Sequence, residues 1–175
     1  PVTAAATMLL IERGKLTLDT LVCSILDGFK NQQVLVNGIL EPVKRDVVIK
    51  DLLTMTSGVA YPSDSEVGQI TNKVVDEAIE KELMRKPLTT VEFANKLGQV
   101  PLEFQPGEKW AYGFSADILG AVIEVISGKE YREFLKEEFF IPLEMIDTDF
   151  YVPEEKWERS VSYTHLRAHE TLANL

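Results

Sequence analysis

The chain has 175 residues, 45% of them hydrophobic, and a formal net charge of −10, which describes one domain, or a large piece of one, with enough apolar residues for a core. The acidic balance excludes a nucleic-acid partner, which requires clustered Lys and Arg, and an anionic membrane surface. No apolar stretch approaches the roughly 18 residues of a spanning helix, and the single cysteine, Cys23, cannot form an internal disulfide.

The opening PVTAAATMLLIERG places Ala4, Ala5, Met8, Leu9 and Glu12 at helical spacing and ends at Gly14, a C-terminal glycine. Because proline is tolerated only in a helix's first turn, the helix is expected to begin before Pro1. Leu21 to Leu26 form a short apolar segment. VLVNGIL at 34–40 reads as two strands around Asn37-Gly38, a strong hairpin signal. Residues 47–58, VVIKDLLTMTSG, read as a strand end followed by a short helix stopped by Gly58, and YPSDSE as a loop. Residues 67–85 carry Val67, Ile70, Val74, Val75, Ala78, Ile79 and Leu83 in an amphipathic pattern. Thr89 or Thr90 caps the next helix, VEFANKLGQ. After the Pro106-Gly107 turn, a helix is predicted from Ser115 to Ser127, ended by Gly128, and another from Lys129 to Phe140, stopped by Pro142. The chain is mostly α with one β-hairpin.

From about Ser160 the text changes character. SVSYTHLRAHETLANL lacks the periodicity seen upstream and resembles translated sequencing-adapter sequence. The expectation is a domain over 1–159 and a non-native or disordered tail over 160–175, packing poorly on the body. Both histidines, His165 and His169, fall in that tail, and neither is expected to approach Tyr112. The body therefore has no His base or ligand, and with no metal-type Cys/His spacing no metal site is expected.

Several signals reduce to structure. Thr56-Ser57-Gly58 is read as the helix stop rather than a serine turn. Asp147 and Asp149 lack the central Gly and terminal Glu of a calcium loop. Asp76, Glu77, Glu80 and Glu82 form a solvated face, and Cys23 is a small core residue. Tyr112 remains, on a loop just before a helix, between Trp110 and Phe114. On loop position alone a core or rim aromatic is the simpler reading. The functional reading presents its hydroxyl to a cleft. A phenol with a pKa near 10 is a poor base, but a neighbouring ammonium favours its ionised form. It can then relay a proton to or from a serine nucleophile.

Four blocks supply that context. PVTAAATMLLIERGKLTLD, VVIKDLLTMTSGV, PGEKWAYGFSADILGAVIEVISGKEYREFL and FFIPLEMIDTDFYVPEEK resemble, in order, the serine β-lactamase-related family. That family comprises class C β-lactamases, penicillin-binding-protein-like peptidases and esterases. The resemblance spans residues 1 to about 158 and implies the mainly helical part of an α+β β-lactamase/transpeptidase-like fold. It implies no cofactor and a small-molecule ester, amide or peptide substrate. Pro1 resembles the residue that follows the lysine of the family's Ser-x-x-Lys motif. This implies a serine four residues, and a lysine one residue, before the chain starts; no Ser-x-x-Lys occurs within the 175 residues. The third motif, a Lys/His-Thr/Ser-Gly strand, is likewise absent and expected beyond residue 160.

Tyr112 falls on the tyrosine of the second motif, Tyr-x-Asn, which implies the catalytic proton relay, with Trp110 and Phe114 walling the cleft. Phe114 stands where the family's asparagine hydrogen-bonds a substrate amide. Phenylalanine cannot do so, and this departure leans the reading toward esterase or peptidase rather than true β-lactamase. Ser115 substitutes in part for the asparagine or, more simply, caps the following helix. The chain as given is then expected to be inactive. A non-catalytic helical binding module, with the aromatic loop contacting a partner, is the alternative.

Overall fold

The computed structural model describes residues 1–159; the expectations for His165, His169 and the tail lie outside them. Among the described residues six α-helices run α1 (Val2–Glu12), α2 (Ile49–Leu53), α3 (Glu66–Leu83), α4 (Thr90–Gly98), α5 (Ser115–Ser127) and α6 (Tyr131–Leu135). The sheet among the described residues is one antiparallel hairpin, β1 (Gln33–Val36) and β2 (Ile39–Pro42).

Helix α5 is the centre of the molecule. Its sequence SADILGAVIEVIS places Ile118, Leu119, Ala121, Val122 and Ile123 in the core, and it packs against α1, α2, α4 and α6. Gly128 ends it in the left-handed conformation (φ 69°), which costs glycine nothing sterically. Helix α1 contributes Ala6 and Leu10 to the same core. It is tied to α6 by a 2.6 Å hydrogen bond between the Thr3 and Tyr131 hydroxyls, and Arg13, just past its end, pairs with Glu138 in the turn that follows α6.

The hairpin turn is Asn37-Gly38 with both residues at positive φ (51° and 77°), the type I′ geometry that matches strand twist. Cross-strand partners are Val34–Glu41, Leu35–Leu40 and Val36–Ile39. Only Val34 is fully buried, and β1 gains a further neighbour in Leu102, whose N–H donates to the Gln33 carbonyl at 2.8 Å. Ser65 caps α3, its Oγ accepting from the Gly68 N–H. Thr89 caps α4 in a capping box with Glu92, whose carboxyl is held below its usual range by the Thr89 N–H and hydroxyl. On α3, Asp76, Glu80 and Glu82 are solvent-exposed as expected, whereas Glu77 pairs with Lys81 and Lys96. Cys23 packs partly buried against the core, and burial pushes its thiol up, away from the reactive thiolate.

Two boundaries differ from the sequence reading. Helix α2 ends at Leu53, not at Gly58, because Met55 adopts φ 57° and turns the chain without a glycine. Gly58 serves another purpose: a Cβ there would lie 2.5 Å from the Phe104 carbonyl oxygen. The last predicted helix is α6 continued by a π turn over Lys136–Phe140.

Candidate active site

Segment 54–61, just after α2, forms the bed on which the Tyr112 loop lies. The Glu103 N–H donates to the Gly58 carbonyl (2.9 Å), Gly107 to Thr56 (2.8 Å) and Ala111 to Met55 (3.0 Å). Pro106-Gly107 turns the chain between these contacts, with Gly107 at φ 85°. The buried Gln105 amide joins the same bed to the end of the hairpin, accepting from the Lys44 N–H at 2.7 Å and donating to the Pro42 carbonyl. Gly113 makes the closest approach: a Cβ on it would stand 1.9 Å from the Val59 carbonyl oxygen. Gly113→Ala is expected to displace the Tyr112 loop and destabilise the chain by about 1–3 kcal/mol. Urea unfolding checks this, and an unchanged midpoint would show that the loop yields freely.

Held in this way, Tyr112 is 63% exposed and its ring meets Tyr61 edge-on, centroids 5.4 Å apart. Tyr61 stands perpendicular to Phe114 at 4.4 Å, and Phe114 perpendicular to Phe93 at 5.5 Å. The four rings make one continuous row from the exposed Tyr112 to α4. Edge-to-face pairs of this kind contribute about 0.5–1.5 kcal/mol each beyond their buried area, so the row fixes the orientation of the Tyr112 ring.

Sequence reasoning gave Tyr61 no role. Its contacts cross 51 and 53 residues of chain, and its only local signal is an aromatic directly before Pro62. Burial, then repulsion from Asp117 and Tyr112, pushes the Tyr61 phenol up. It is therefore protonated at neutral pH and available as a hydrogen-bond donor, not a base. Asp117, in the first turn of α5, keeps an exposed face, yet crowding around its carboxyl pushes its pKa up as well.

The other predicted residues do not share one cleft. Trp110, 67% exposed, lines a separate cavity with the hairpin turn residues Asn37 and Gly38 and the start of α3, whereas Phe114 lies inside the aromatic row. Phe114 occupies the cap position of α5, and Ser115 is the first helical residue, so Ser115 is not the cap. Its side chain is 1% exposed, and its hydroxyl is 2.9 Å from that of Ser57, beneath the loop. A buried hydroxyl with a partner is satisfied internally, and Ser115 offers nothing to a ligand here.

The Beta-lactamase family model matches residues 1–175, with 160–175 inside the match. Lovastatin esterase of Penicillium rubens is 29% identical over 160 residues, covering 86% of this chain and 37% of its own length. Esterase EstB of Burkholderia gladioli is 32% identical over 150 residues, covering 86% of this chain and 36% of its own. Among solved structures, EstCE1, a hydrolase with promiscuous acyltransferase activity, superimposes with a TM-score of 0.70 at 28% identity. The overlap covers 89% of this chain and 39% of that one. The chain thus spans less than two-fifths of each of these relatives. The hairpin and helices match that architecture, and with the family model covering its whole length the chain belongs to the Beta-lactamase family.

Proposed function

We propose that this chain forms the mainly helical, tyrosine-bearing part of a serine hydrolase that opens an ester or amide through an acyl-serine intermediate. The observation that carries this reading is Tyr112, exposed on a loop bonded to the bed at Gly107 and Ala111, with its ring oriented by Tyr61. The serine and lysine of Ser-x-x-Lys are supplied by residues preceding Pro1. Tyr112 takes the serine proton as Oγ bonds to the substrate carbonyl carbon, and returns it to the departing alkoxide or amine. Water then repeats the cycle, its proton passing to Tyr112 and on to the released serine, while backbone N–H groups hold the oxyanion.

The names of the relatives, two esterases and a hydrolase with acyltransferase activity, favour ester chemistry. Phe114 supports the same direction, because it offers its Tyr61 and Phe93 neighbours an apolar ring and a substrate no amide.

The 175-residue chain is expected to leave a chromogenic short-chain ester untouched. A chain extended through Ser-x-x-Lys and the third motif is expected to hydrolyse it and to be stopped by a serine-directed inhibitor. Inhibitor-sensitive turnover by the shorter chain would disprove the placement of the nucleophile. An extended chain that hydrolyses no ester or amide would leave the binding-module reading standing.

A further inference from the structure

A cavity of about 460 Å³ opens where the first turn of α4, the first turns of α5 and the start of α6 converge. It adjoins the candidate site, because Phe93 belongs both to its wall and to the aromatic row that ends at Tyr112. Phe93, Tyr131 and Phe150 supply three aromatic rings to its lining, the last two 5.6 Å apart. Its charged lining residues are both acidic, Asp117 and Glu82; among the described residues no Lys, Arg or His lines it.

Asp117 is close enough to raise the proton affinity of Tyr61 on one side and Tyr131 on the other, after the larger effect of burial on each. Asp117 is itself part of the cavity wall. Its own carboxyl is crowded, and among the described residues no cation offsets that crowding. A crowded carboxylate that keeps an exposed face, beside aromatic rings with negative faces, is the complement of an organic cation. The same lining repels a carboxylate.

We propose that this cavity binds the ammonium end of an amine-bearing ligand with an apolar body, the cation lying between Asp117 and the rings of Phe93, Tyr131 and Phe150. Combined with the proposed hydrolase activity, on which this step rests, the substrate class is an ester or amide that carries an amine. The binding itself does not depend on catalysis.

Gly120 gives a means of probing the cavity. A Cβ there would make ordinary contacts, 3.7 Å from the Tyr131 ring and 3.8 Å from Thr90, so Gly120→Ala reduces the cavity without forcing the fold.

The test follows amide shifts of the 175-residue chain by NMR during titration with benzylammonium, benzyl alcohol and benzoate, three probes of nearly equal size. Benzylammonium is expected to shift the Asp117 and Gly120 amides with a Kd about tenfold below that of benzyl alcohol, and benzoate to leave them unmoved. Asp117→Asn is expected to erase the preference. Glu12→Gln, which removes the same charge from the exposed end of α1, is expected to keep it. Gly120→Ala is expected to weaken benzylammonium several-fold, and it decides the matter if Asp117→Asn unfolds.

Equal affinity for amine and alcohol overturns the proposal, as does a preference lost alike in the Asp117 and Glu12 variants, which is attraction to net charge alone. Shifts confined to another face overturn it too. An extended chain that turns over no ester would remove the hydrolase reading and leave this binding result in place.

Discussion

In a chain that carries the serine and lysine, Tyr112→Phe is expected to lower the rate of acyl transfer by roughly 10²–10⁴-fold, the scale for losing a positioned acid–base group. The ring and its edge contact with Tyr61 are preserved, and the side chain is mostly in water. Stability is therefore expected to stay within about 0.5 kcal/mol of the parent. A rim aromatic with no chemical role predicts the opposite, an unchanged rate in the folded fraction. Paired measurement of kcat and thermal midpoint separates the two. A kcat within a few-fold of the parent removes Tyr112 from the mechanism.

Arg45→Met is expected to be the most damaging single change away from the core, costing about 3–5 kcal/mol of unfolding free energy, the range for stranding a buried charge. Arg45 forms a forked pair with Asp51 at 2.6 and 2.8 Å. The two sides of that pair are unequal: the Asp51 side chain is 4% exposed and that of Arg45 46%. Removing Asp51 lets the guanidinium return to water, whereas removing Arg45 leaves a buried carboxylate with two neutral donors, the Val48 N–H (3.0 Å) and the more distant Thr56 hydroxyl (3.5 Å), in place of a charge. Arg45→Met is thus expected to cost more than Asp51→Ala. Adding Asp51→Asn to Arg45→Met should restore about 0.5–3 kcal/mol, the usual size of coupling between partners in contact. Denaturant unfolding of the three variants and the double variant checks this, and strict additivity would contradict it.

What could be read from the sequence was local. Helix α5 runs from Ser115 to Ser127 as its periodicity predicts, because Gly128 supplies the left-handed residue its end requires. The Asn37-Gly38 turn and the Thr89 cap are equally self-contained. What could not be read depends on contacts between distant parts of the chain. Met55 takes a positive φ that nothing in LLTMTSG announces, since tertiary bonds from Gly107 and Ala111 to segment 55–56 hold it. Gly58 looks like a helix stop, but the structure uses its missing Cβ to admit Phe104. The hydroxyl of Ser115 turns inward to Ser57 across 58 residues. Of the candidate site, the exposed loop with Tyr112 was legible; Tyr61 and the separation of Trp110 from Phe114 were not, for the same reason.

The Thr3–Tyr131 bond joins residues 128 positions apart, and the Arg13–Glu138 pair bridges 125. During synthesis α1 leaves the ribosome long before α5 and α6 exist to cover Ala6 and Leu10. At about 5–20 residues per second, those apolar side chains wait roughly ten seconds for their partners. The helix leading away from the proposed nucleophile is thus made well before the elements that secure it, and until they emerge its apolar face is one a chaperone can hold.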